Sequence, residues 1–190
     1  MTKTQYYTAT SLDGFIADPD NSLDWLLEID ALDDAATAAA KHSQAFFSQV
    51  GAFCMGATTY EWVMDREGPE GLLQAYGDLP GWVFTHRKLP TDPRLNLTFV
   101  SGEVAPVHQA MSRAAAGRNI WVVGGGDLAG QFADAGLLDE LIVAVAPVTL
   151  GGGAPLLPRR ILSSRLRLTG VEQLGPFAAL TYTVGSPDHT

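Results

Sequence analysis

The sequence predicts a three-layer α/β domain: a central, mostly parallel sheet with an antiparallel C-terminal edge and helices on both faces. Short apolar runs alternate with helix-periodic segments from residue 6 to residue 145. Two alternating runs then follow with no helix between them, carrying Leu166, Leu168 and Val171, then Leu180, Tyr182 and Val184. Three of the earlier runs end abruptly in turns rich in glycine, threonine or cations, as strands do where they hand over to helices.

The 190 residues fit a single domain spanning 1–190, large enough to bury a core without staples. With 46% hydrophobic and 17% charged residues the chain has the balance of an ordinary globular protein. A net charge of −9 argues against a general nucleic-acid or anionic-membrane surface, so the expected partner is a small molecule. The single cysteine, Cys54, excludes a disulfide framework and a multi-cysteine zinc site. It sits in the apolar run Ala52-Phe53-Cys54-Met55, which reads as core rather than nucleophile. No metal site is expected. The N-terminal residues lead straight into a strand-like segment without a signal-peptide pattern, and no run approaches the ~18 apolar residues of a membrane span. A cytoplasmic address is the default expectation.

In chain order, the β-branched and aromatic residues at 6–12 form a first strand, and Gly14 turns the chain. Residues 18–22 are a surface loop, and Trp25, Leu26, Leu27 and Ile29 make an apolar patch of undetermined type. Leu32, Ala35, Ala36, Ala39, Ala40, Phe46 and Phe47 recur at helical spacing, with Asp33 or Asp34 as cap. Residues 50–55 form a strand, Gly56 turns it into a short helix, and Gly68-Pro69 within 67–71 breaks that helix. Strands are expected at 81–85 and 97–100. Pro106 falls in the first turn of the next helix, where Val107, Ala110, Met111 and Ala114 form the apolar face and Gly117 the stop. Residues 120–123 are a buried strand, followed by Gly124-Gly125-Gly126. Asp127 then caps a helix whose apolar face is Leu128, Phe132 and Ala135. A continuous apolar strand at 141–145, a loop through 147–155 and the terminal strand pair complete the domain.

Gly124, Gly126 and Ala129 fit G-x-G-x-x-A, but they lie late in the chain, and the next strand ends in Ala146-Pro147-Val148-Thr149 with no acid for a ribose. A Rossmann domain is therefore rejected, and no Gly-Lys-Ser or Gly-Lys-Thr occurs for a Walker loop. A constellation remains: Gly56 to Thr59, Thr85 to Arg87, and Gly124 to Leu128. If their strands are parallel neighbours, all three turns open on one sheet edge, where α/β sheets bind ligands. Two helix N-termini would then face a pyrophosphate, with Thr59 donating a hydroxyl and His86 and Arg87 gripping a further phosphate. The plainer readings are helix capping for Thr58 and Thr59 and a solvated loop for His86 and Arg87.

Met55-Gly56-Ala57-Thr58-Thr59-Tyr60-Glu61 resembles the Met-Gly-x-x-Thr-Trp/Tyr-Glu segment of dihydrofolate reductases, and Val122-Val123-Gly124-Gly125-Gly126 resembles their cofactor turn. Ser11-Leu12-Asp13-Gly14-Phe15-Ile16-Ala17 and Pro147-Val148-Thr149-Leu150-Gly151-Gly152-Gly153 are closer to a related branch, the C-terminal reductase domain of bifunctional riboflavin-biosynthesis deaminase/reductases. The likeness covers nearly the whole chain without a deaminase half. It implies a dihydrofolate-reductase-like fold, a cis Gly124-Gly125 peptide and NADPH as cofactor. Position by position, it implies Gly56, Thr58 and Thr59 facing the cofactor phosphates and Thr85, His86 and Arg87 at the adenosine 2′-phosphate. It places Gly124, Gly125, Gly126, Asp127 and Leu128 at the pyrophosphate, Ala9 and Ile16 near the nicotinamide, and Thr149, Leu150 and Gly151 along the same cleft. Asp127 stands where many relatives carry a neutral or basic residue.

The reaction implied is reduction of a small polar substrate, similar to that of 5-amino-6-(5-phosphoribosylamino)uracil reductase. A nucleotide-binding module without turnover and a dihydrofolate reductase are the alternatives. Asp13 is the expected catalytic residue, as proton source, water orienter or hydroxyl ligand; its plainer role is an Asp-Gly turn. Glu28 is a weaker candidate. Arg66, Arg159 and Arg160 are candidates for a substrate phosphate, and Asp33 or Asp34 for the pteridine-binding acid of dihydrofolate reductases. Relatives that pair through terminal strands imply a possible homodimer.

Overall fold

Strand β1 (Thr4–Thr10) runs through the middle of an eight-stranded sheet in a computed structural model that describes residues 2–30 and 33–187, with backbone only at 30 and 33–38. Its neighbours are β6 (Asn119–Gly124) and β7 (Glu140–Val145), both parallel to it. Beyond β6 lie β3 (Val50–Gly56), β4 (Gly81–Phe84) and β5 (Leu97–Val100), also parallel. Beyond β7, β10 (Phe177–Val184) and β9 (Leu166–Leu174) pair antiparallel and end the sheet. The order is therefore β5-β4-β3-β6-β1-β7-β10-β9. A small second sheet pairs β2 (Phe15–Ala17) with β8 (Ala154–Pro155). The parallel sheet, antiparallel edge and flanking helices are those expected from the sequence.

Continuous apolar strands bury both faces of this sheet. On one face, α4 (Val104–Ala114) and α5 (Gly126–Asp134) seat Met111, Leu128 and Phe132 against Tyr6, Ile120 and Val143. On the other, α2 (Asp33–Phe47) and α3 (Ala57–Tyr76) seat Phe46, Tyr60 and Leu72 against Phe53, Trp121 and Ile142. Helix α1 (Asp24–Asp30) covers the end of that face near Phe177 with Trp25, Leu26 and Ile29. Cys54 is buried in the first core, and desolvation pushes its thiol far above the usual range, as befits an inert packing group.

Several boundaries differ from expectation. The first strand ends at Thr10, because Ser11 to Gly14 form a turn closed by the Gly14 N–H on the Ser11 carbonyl; Leu12 is exposed. Helix α3 does not stop at residues 67–71. Gly68 takes φ 64°, ψ −172°, and Pro69 starts a second helical stretch that carries Leu72 into the core. The α5 cap is Gly125, not Asp127, and the buried stripe is Leu128, Ala129, Phe132 and Ala133, with Ala135 exposed past the helix end. The capping and pteridine-binding roles considered for Asp33 and Asp34 fall on side chains outside those described.

Candidate active site

Strands β4, β3 and β6 are parallel neighbours, so the turns that follow them open on one edge of the sheet. A cavity of ≈ 600 Å³ lies there. Gly56, Thr58 and Thr59 line one wall, the segment from Gly124 to Leu128 another, and Ile16 with Pro155 the roof. The Gly124-Gly125 peptide is cis. Both helices that begin at this cavity have an extended glycine as N-cap: Gly56 (φ −79°, ψ 164°) before α3 and Gly125 (φ −88°, ψ −179°) before α5. Neither receives a side-chain cap bond, so Thr58 and Thr59 do not cap α3. First-turn amides at two helix N-termini thus face one space, which suits an anion.

The two turns touch. A Cβ built at Gly124 would stand 3.2 Å from Thr59 Oγ1. At Gly126 a Cβ would overlap the carbonyl oxygens of Pro155 and Leu156, so only glycine lets the first turn of α5 press against β8. Tyr76 also lines the cavity; burial, then the charge of Glu67, pushes its phenol up to about 12, so it stays neutral.

Asp127 lines the cavity without capping. Its carboxylate accepts Gln131 Nε2 at 2.9 Å and Arg159 Nη2 at 2.9 Å, and these bonds, Gln131 first, hold its pKa below the usual carboxylate value. Arg159 also donates Nε to Asp134 at 2.7 Å. Asp127 is therefore offset by a cation, and Arg159 is already engaged by two acids. Arg66 pairs with Asp24 at 3.4 Å and lies over the Trp62 ring. Arg160 and Glu28 are exposed and line neither of the cavities described here.

The third turn lies outside this cavity. Thr85 Oγ1 accepts the Arg87 N–H at 3.0 Å, which orders the turn, while His86 is exposed. Arg87 forks onto Glu61 with Nη1–Oε1 at 2.9 Å and Nη2–Oε2 at 2.6 Å. Thr149, Leu150 and Gly151 also lie off the cavity. Asp13 holds that segment: its carboxylate accepts the Gly151 N–H at 2.7 Å and the Leu150 N–H at 3.1 Å, and the Ser11 hydroxyl at 2.6 Å. These bonds, Ser11 first, lower its pKa. Asp13 lines neither cavity.

A second cavity, ≈ 470 Å³, adjoins the first and shares Thr8 and Val123 with it. Ala9 lines this one rather than the larger. Tyr7, Ser43, Trp121 and Phe177 form its walls; Tyr7 Oη and Ser43 Oγ are hydrogen-bonded at 3.1 Å, and Trp121 Nε1 donates to the Tyr7 carbonyl at 3.1 Å. The sequence reading missed these residues. They come from separate elements, and the one local signal was their neighbour Ala9. Among the described residues no group of three or more His, Cys, Asp or Glu is placed to hold a metal ion, and no helix is long and apolar enough to cross a membrane.

A parallel sheet carrying an antiparallel edge, with a cis-glycine turn over a cleft, defines a dihydrofolate-reductase-like domain. Dihydrofolate reductase from Enterococcus faecalis, solved with NADP(H) and RAB-propyl, superposes with a TM-score of 0.56 at 14% identity, over 98% of this chain and 97% of that one. More particularly, the chain belongs to the RibD C-terminal domain family, whose model matches residues 2–180. It is 34% identical over 180 residues to the uncharacterized protein YwjB of Bacillus subtilis (strain 168), covering 95% of this chain and 97% of that protein. A Shewanella sp. PV-4 structure, given a provisional riboflavin-biosynthesis name, matches with a TM-score of 0.73 at 26% identity, over 96% and 99% of the two chains.

Proposed function

We propose that the protein is an NADPH-dependent reductase of a small substrate, similar in kind to the reductase of riboflavin biosynthesis. The carrying observation is the pair of uncapped helix N-termini, at Gly56 and Gly125, fused through Thr59 and Gly124 over one cavity that opens into a second. In this reading Gly56, Thr58 and Thr59, with Gly124 to Leu128, bind the cofactor's phosphates. Ile16 flanks the nicotinamide, and Thr85, His86 and Arg87 meet the 2′-phosphate. A bound dihydronicotinamide would supply the hydride. The chain's own part is to orient the two molecules and keep water from the junction at Thr8 and Val123.

Asp13 acts by position in this reading. An ionised carboxylate that spends its lone pairs on two amides and a hydroxyl is a poor proton source. The hydroxyls of Thr8, Tyr7 and Ser43 face the second cavity and, with solvent, deliver the proton. A binding module without turnover would have no use for the second cavity, which favours the enzyme. Self-association through the β9 edge completes the proposal.

Thermal denaturation with and without NADPH tests the reading. Cofactor at a hundredfold its Kd adds about 2.7 kcal/mol of apparent stability and raises the midpoint visibly. No shift at saturating millimolar NADPH would refute it.

A further inference from the structure

The two cavities differ in the charge they accept. The larger one presents helix N-termini. The second is walled by the rings of Tyr7, Trp121 and Phe177, by alanine and leucine side chains, and by the hydroxyls of Thr8 and Ser43; none of its lining residues is charged. Six of the twelve lysines and arginines are engaged elsewhere. Lys3 pairs with Glu140, Arg66 with Asp24, Arg87 with Glu61, Arg94 with Asp92, and Arg159 with Asp127. Arg165 donates to the carbonyls of Ala133 and Gly185. The other six are exposed. On the helix that forms one wall, Lys41 is exposed and His42 is turned to Glu172 at 3.3 Å. The sequence from 30 to 38 contains no lysine, arginine or histidine.

A phosphate in the second cavity would lose its water and meet no cation, in a chain of net charge −9. A planar uncharged ring would lose little and gain contact with three aromatic walls. We propose that the second cavity, taken as the substrate side of the reductase site proposed above, admits a neutral aromatic or similarly planar substrate and discriminates against phosphorylated ones. The substrate's C=O or C=N group lies towards Thr8, where the two cavities meet. The phosphoribosyl substrate expected from the family resemblance is thereby excluded.

Equilibrium dialysis of 2-naphthol and 2-naphthyl phosphate tests this, since the two share a ring and differ in charge. It is run on the wild-type chain and on Ala40→Trp. Ala40 is an exposed residue of α2 that lines the cavity, so the new indole fills the opening without entering the core. The expected result is at least about tenfold tighter binding of 2-naphthol than of its phosphate, roughly 1.4 kcal/mol, and loss of that binding in Ala40→Trp. Equal or tighter binding of the phosphate, no binding of 2-naphthol, or 2-naphthol binding that ignores Ala40→Trp would each overturn the proposal. No cofactor is added, so this outcome and the NADPH shift fail independently.

Discussion

At the scale of single residues, the cofactor's 2′-phosphate end shows how a side chain legible in the sequence acquires an unread partner. Arg87 stood out as one of three clustered cations in an acidic chain. Its partner Glu61 was visible only as part of a helix start. In the fold the two meet in a bidentate pair, with both side chains partly exposed, so the pair itself adds little stability. Its consequence is competition. A 2′-phosphate must take the guanidinium fork from Glu61 and tolerate that carboxylate nearby. Arg87→Ala is expected to weaken NADPH at least about tenfold while leaving NADH nearly unchanged, because one charge-assisted fork is lost only with the phosphate. Glu61→Gln should do the reverse and tighten NADPH several-fold. Titration calorimetry with both cofactors checks this; parallel changes in NADPH and NADH would remove Arg87 from the 2′-phosphate site.

Among the elements, the segment at 148–153 owes its place to one side chain of a distant turn. Asp13 ties it to the β1–β2 turn, and the Leu12 N–H adds a bond to the Val148 carbonyl at 2.7 Å. The next residues, Ala154 and Pro155, line the larger cavity, so the clamp sets one of its walls. Because the folded carboxyl is held below its ordinary pKa, the clamp is complete above the usual carboxylate range. It is lost as pH falls through the depressed folded value. Asp13→Ala should release the segment at every pH. Hydrogen exchange at Leu150 and Gly151 is expected to accelerate at least about tenfold in the variant at neutral pH. Unchanged exchange there would leave Asp13 without a positioning role. Element reading failed where two signals overlapped. Gly68-Pro69 reads as a stop, yet glycine's left-handed φ and proline's fitness for a first helical turn also make a kink between two helical stretches. Trp25, Leu26 and Ile29 span too few residues for a period to show, so α1 had no readable type.

For the whole molecule, strand types and the edge on which the turns open were legible because they follow from local patterns. The second cavity was not, because its walls come from strands and helices brought together only by the sheet order. The same order leaves one apolar surface without a cover. By register Leu168 lies opposite Tyr182 and Val171 opposite Leu180. Tyr182 and Val184 pack towards the core beneath α5, but no helix described here reaches the outer strand on that face, and Leu168 and Val171 remain 48% and 63% exposed. A β-bulge between these two positions interrupts the edge, so plain strand-to-strand extension is disfavoured and contact through the sheet face is the better fit. A second copy placed by a twofold axis would cover both leucine and valine with the same pair from its own β9. The chain is therefore expected to sediment as a dimer at micromolar concentration. The double substitution Leu168→Lys and Val171→Lys should give a folded monomer with an unchanged circular-dichroism spectrum. A concentration-independent monomer in the wild type, or a dimer that survives both lysines, would refute this interface.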